Sequence, residues 1–143
     1  MDWLIGIAPA RAGDPALTPG GRSHNTADRL RILLHMSVDE YLARFPRRDN
    51  ALDYRYGRTL VRRVSGRVAV FGYDAWRCLG LPARQFWEHY QTEVAKFYLL
   101  PHPSGRNRLY NTKANRNRLR RLMCRSSQLT SITTGSSSRV TEC

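Results

Sequence analysis

Three short apolar runs, each cut off by glycine or proline, are the strongest constraint on how this chain folds. "WLIGIAP" spans Trp3 to Pro9, "RVAVFG" spans Arg67 to Gly72, and "EVAKFYLL" fills residues 93–100, directly before Pro101. Their length and abrupt ends read as strands covered on both faces. Between them lie segments with helical spacing. Thr26 or Asn25 caps a helix through "ADRLRILLHM", which puts Leu30, Leu33 and Leu34 on one face. Ser37 opens a second helix, "VDEYLARF", with Glu40 in the capping-box position and Pro46 beyond its end. "RTLVRRV" reads as a helix turning Leu60, Val61 and Val64 inward, and "DAWRCLGL" as a short helix followed by Gly80. "NTKANRNRLRRLMCR" carries Leu119, Leu122 and Met123 on one side and arginines on the other. "NALDYRYG" stays open between strand and loop, and "ARQFWEHY" reads as a helical turn or loop. Strands alternating with helices give an α/β layered fold with a mostly parallel sheet.

Parallel order brings the carboxyl ends of the strands to one edge, where open α/β sheets bind ligands. Two of those ends carry unusual punctuation: Gly6-Ile7-Ala8-Pro9-Ala10 and Pro101-His102-Pro103-Ser104-Gly105. Residues 10–25, rich in glycine, proline and small side chains, form a long loop after the first. A cleft between a small-residue loop and a histidine loop is expected, with a basic helix beside it.

Charge narrows the partner. Lys and Arg number 24 against 11 acidic residues, a net charge of +13. The excess is uneven: from Val94 to Thr141 there are ten basic residues and no acidic one. A polyanion, nucleic acid before anionic membrane, fits that imbalance. With 41% apolar residues the chain can bury a core, expected as one domain over residues 1–125. The Ser/Thr-rich residues 126–143 read as a flexible tail. Cys78, Cys124 and Cys143 match no zinc or iron–sulfur spacing, and an odd count argues against a disulfide framework. They are expected as reduced thiols, with no metal or cofactor. "MDWLIGIAPA" is too short for a signal peptide and lacks a basic leader, and no run approaches membrane-spanning length.

A first strand ending in "GIAPA" and a last strand ending in "HPSGRN" resemble the two signature motifs of the uracil-DNA glycosylase superfamily. The resemblance covers Trp3 to about Arg125. It implies a three-layer α/β/α fold around a four-stranded parallel sheet. It also implies hydrolysis of an N-glycosidic bond after the target nucleotide is flipped out. His102 matches the histidine that stabilises the departing base as negative charge develops on it; a donor aimed at the base's carbonyl oxygen lowers that barrier. Ser104 matches the serine that grips a backbone phosphate, with Gly105 allowing close approach of the DNA. Arg106 falls where the superfamily carries its intercalating residue, beside Asn107. Arg108, Lys113, Arg116 and Arg120 then read as phosphate contacts. Asn50, in "RRDNAL", resembles the residue that reads the Watson–Crick edge. A cytoplasmic, nucleoid-associated monomer acting on DNA follows, with no membrane partner.

Departures from the family pattern bear on the reaction. The uracil-specific enzymes place a water-positioning acid or asparagine where Ala8 stands, and some branches keep a glutamate at the position of Ile7. Water is then held by backbone carbonyls of the Gly6–Pro9 turn or by a later polar residue, with Asp14 and His24 as candidates. Where those enzymes place a tyrosine that excludes C5 substituents, this chain has Ala10. Residues 11–40 contain no Phe, Tyr or Trp, so the family's stacking phenylalanine is missing there or is supplied from elsewhere. An open pocket at C5 favours a substituted pyrimidine, such as the glucosylated hydroxymethylcytosine of phage DNA, which would make the chain an antiviral enzyme. Uracil or deaminated-base repair, and a non-catalytic DNA-binding module on the same fold, stay open. No lysine lies in either motif, so a Schiff-base lyase step is not indicated.

Overall fold

The computed structural model describes residues 1–7, 16–20, 26–104 and 107–124. Five strands form one sheet in the order β2-β1-β3-β5-β4: β1 (Trp3–Gly6), β2 (Arg48–Asn50), β3 (Gly66–Phe71), β4 (His89–Gln91) and β5 (Ala95–Leu100). β2, β1, β3 and β5 run parallel, and β4 pairs antiparallel with β5 at the edge. The four parallel strands expected from the resemblance are therefore joined by a fifth. β4 arises because Thr92 closes a tight hairpin: its hydroxyl accepts from the Ala95 N–H at 3.0 Å, and its own N–H donates to Ala95 O at 2.8 Å. Three residues, mostly exposed, gave "ARQFWEHY" no alternation to reveal a strand.

Apolar side chains on both strand faces dictate helices on both sides. Leu4, Ala69, Phe71 and Leu100 enter one core. Helices α1 (Thr26–Leu33), α2 (Val38–Arg44) and α5 (Lys113–Cys124) cover it through Leu30, Tyr41, Leu119 and Met123. Ile5, Val68, Val70, Phe97 and Leu99 point the other way, under α3 (Tyr54–Val61) and α4 (Tyr73–Cys78). The architecture is three-layered.

Local signals explain the helix starts. Ser37 and Glu40 form a reciprocal capping box: the Ser37 hydroxyl accepts from Glu40 N–H at 3.1 Å, and the Glu40 carboxylate accepts from Ser37 N–H at 2.9 Å. The open segment "NALDYRYG" divides: β2 stops at Asn50, and Asp53 caps α3 by accepting from Tyr56 N–H at 2.8 Å. α3 thus begins four residues before "RTLVRRV". Gly57 lets it lie close on α4, because a Cβ there would sit 2.1 Å from Cys78 O. Cys124 is disulfide-bonded, which corrects the expectation of three reduced thiols; Cys78 is free and buried. Among the described residues, no helix is long and apolar enough to cross a membrane.

Candidate functional site

The chain leaves β1 toward β2 on one side, while β3 leads to β5 on the other. The gap between the carboxyl ends of β1 and β3 is therefore the switch point at which such sheets bind ligands. A cleft of about 390 Å³ opens there, within the range of small-molecule sites. Ile7 beyond β1, Gly72 beyond β3 and His102 beyond β5 share its wall, as the strand punctuation predicts.

His102 is held through its backbone. The Tyr110 hydroxyl donates to Pro101 O at 2.8 Å, and the Asn107 side-chain amide donates to His102 O at 2.9 Å. Asn107 also donates its backbone N–H to Ser104 O at 3.1 Å and accepts from Leu109 N–H at 3.0 Å. Pro101 and Pro103 are buried on either side. Gly72 N–H donates to Leu100 O at 2.9 Å, and with φ of 96° it turns the chain out of β3 directly against the His102 side chain. That backbone conformation is one that L side chains rarely adopt. Burial lowers the His102 pKa from its ordinary value, so the imidazole is neutral at pH 7. A neutral imidazole offers one N–H donor and one acceptor, suited to stabilising an anion that forms only during reaction.

Gly6 and Asn50 stand on the β1–β2 side and pair in register. Asn50 is 5% exposed, and its Oδ1 would lie 3.0 Å from a Cβ at Gly6. Its carboxamide makes no hydrogen bond to another described residue. Buried amides normally have partners, so this one is available to a polar ligand. Ala8, Pro9, Ala10, Asp14, His24, Gly105 and Arg106 lie outside the described residues.

Two arginines of the basic helix also bond within the fold. Arg116 donates to Tyr110 O and Asn111 O at 3.0 and 2.9 Å. Arg120 donates to Leu33 O at 3.3 Å and to His35 Nε2 at 2.9 Å, and it also bonds Asn117. Both guanidinium groups brace neighbouring segments, tying α5 to the turn before it and to the end of α1, with Arg116 using Nη1 alone. Arg108 and Lys113 are exposed and remain suited to a phosphate.

Sequence reasoning missed the far wall. Tyr73, Asp74 and Arg77 of α4, with Phe86, complete the cleft. The Tyr73 and Phe86 rings stack at 4.3 Å with 27° between planes, and Asp74 pairs with Arg77. The available signal was the glycine closing "RVAVFG", followed at once by an aromatic and an acid. Among the described residues, no group of three His, Cys, Asp or Glu side chains could hold a metal ion. No family model, curated protein or solved structure matches the chain.

Proposed function

We propose that the protein is a monofunctional DNA glycosylase that excises a 5-substituted pyrimidine and leaves an abasic site. The observation that carries this reading is His102: neutral, fixed through its backbone, and set in a cleft at the switch point of the sheet. In the reaction, the C1′–N1 bond breaks and its electron pair leaves with the base. The His102 N–H stabilises the charge that collects on the base carbonyl oxygen. A water oxygen bonds to C1′, and its proton ends on the departing base. No cofactor enters that balance.

Two further observations support a pyrimidine larger than uracil. The aromatic surface that the loop after β1 lacks is supplied by Tyr73 and Phe86 on the opposite wall. The cleft volume of about 390 Å³ leaves room beyond a single ring. Asn50, 5% exposed and with no side-chain hydrogen bond to another described residue, supports recognition of a base edge.

Duplexes containing uracil or glucosylated hydroxymethylcytosine, incubated with the protein and then treated with alkali, test the reading. Strand breaks at the glucosylated base are expected. His102→Ala is expected to lower the rate by about 100- to 1,000-fold, the usual loss for one transition-state donor, while DNA binding persists. Absence of breaks on every modified DNA sinks the enzymatic reading.

A further inference from the structure

Beyond the cleft, the turn between β2 and α3 carries features that the excision chemistry does not use. Leu52 is 50% exposed and sits at φ of 61°, a left-handed conformation costly for a residue with a bulky side chain. Its N–H donates to Ile7 O at 2.8 Å, so the strained turn is tied to a residue of the cleft wall. Tyr54, the first residue of α3, is 57% exposed with no ring partner among the described residues. Folding explains neither exposed group.

The helix that follows presents an arginine stripe. Arg55, Arg58 and Arg62 fall within roughly 60° of arc on the face opposite buried Gly57 and Leu60. All three are exposed, and none makes an ion pair or a side-chain hydrogen bond among the described residues. Their neighbour Arg63 differs, because it reaches Asp49 at 3.7 Å and the Tyr56 hydroxyl at 3.3 Å. Arg55 and Arg62 are separated by about 10 Å along the helix.

We propose that Leu52, Tyr54 and the Arg55–Arg58–Arg62 stripe form a path for single-stranded DNA leading to the cleft. An aromatic ring beside a row of cations takes a strand by stacking an unpaired base and neutralising its phosphates. Duplex DNA keeps its bases stacked on each other and offers Tyr54 no base face. The path begins at a turn bonded to Ile7, so a strand lying on it has its next nucleotide over the cleft. The proposal rests on DNA being the partner, as read above.

Fluorescence anisotropy of a labelled oligothymidylate, titrated with salt, tests it. The wild-type protein is expected to bind with a steep salt dependence and more tightly than to duplex of equal length. Replacing Arg55, Arg58 and Arg62 with glutamine is expected to flatten the log–log salt slope by about 2, at roughly 0.7 per phosphate contact. Tyr54→Ala is expected to weaken binding on the order of tenfold, with recovery in Tyr54→Phe. An unchanged slope in the arginine variant, or tighter binding of duplex with no effect of Tyr54→Ala, overturns the path alone. A wild-type protein that binds no DNA overturns both the path and the glycosylase reading.

Discussion

Asn107→Ala tests whether the histidine loop is built as described. The side chain makes two bonds in opposite senses: its amide donates to His102 O at 2.9 Å, and its Oδ1 accepts from Leu109 N–H at 3.0 Å at the start of the 3-10 turn Arg108–Asn111. A partly buried hydrogen bond contributes about 0.5–1.5 kcal/mol, and losing a capping side chain costs about 1 kcal/mol. Removing both bonds is therefore expected to cost about 1–3 kcal/mol. At about 2.1 cal/mol/K per residue, the melting temperature falls by roughly 3–10 °C. Asn107→Asp separates the two bonds, because a carboxylate still accepts from Leu109 but faces the His102 carbonyl without a proton to give. Its melting temperature is expected between those of the other two proteins, while His102 is disturbed as much as in the alanine variant. Thermal unfolding by circular dichroism reads the first quantity. A proton NMR titration of the His102 imidazole reads the second, with the pKa moving back toward 6.5 as the loop loosens and solvent enters. A melting temperature unchanged to within about one degree, together with an unmoved His102 titration, would refute the brace.

Two more outcomes follow from the same structure. Burial lowers the His102 pKa below 6.5, so the unfolded chain binds this proton more readily than the folded one. Stability owed to this group is full above pH 6.5 and is lost as pH falls through that value toward the lower folded pKa. The proposed excision would use the neutral ring and is expected to show no His102 limb above pH 6.5; an NMR-measured pKa above 6.5 contradicts both statements. Gly57→Ala ordinarily gains up to about 1 kcal/mol in a helix. Here the new Cβ would meet Cys78 O at 2.1 Å, so a net loss of about 1–3 kcal/mol is expected in urea unfolding, and a stabilised variant would show that α3 and α4 do not pack as closely as described.

The parts of the fold legible in the sequence are those with a repeating signal or strong punctuation. The strands "RVAVFG" and "EVAKFYLL" lie at β3 and β5 because an apolar run covered on both faces has few alternatives. Ser37 and Glu40 mark a helix start through side-chain chemistry that acts over four residues. β2 and β4 escaped because each is three residues long and takes its identity from the strand beside it. His102 and Ile7 were legible as neighbours because parallel order alone brings strand ends together. Tyr73 and Phe86 were not, since thirteen positions separate them and their stacking depends on how the chain returns from α4 to β4.

The arginines of α5 show why a basic run does not by itself locate a nucleic-acid contact. A guanidinium carries five donors and stays charged whatever it bonds. Arg116 and Arg120 direct theirs at backbone carbonyls, and Arg118 lies 4.8 Å from the centre of the Trp87 ring. Their charge adds to the long-range field that draws a polyanion in, while part of their donor set is used by the fold. Arg55, Arg58 and Arg62 are exposed and make no side-chain hydrogen bond among the described residues, although Arg58 runs beside Gly80, on a helix that sequence reading treated only as core-facing. On the proposed path, the α3 stripe supplies phosphate contacts and α5 adds mainly to the field. With DNA as the proposed partner, neutralising α5 is expected to slow association with any DNA, and neutralising α3 to remove phosphate contacts and flatten the salt slope.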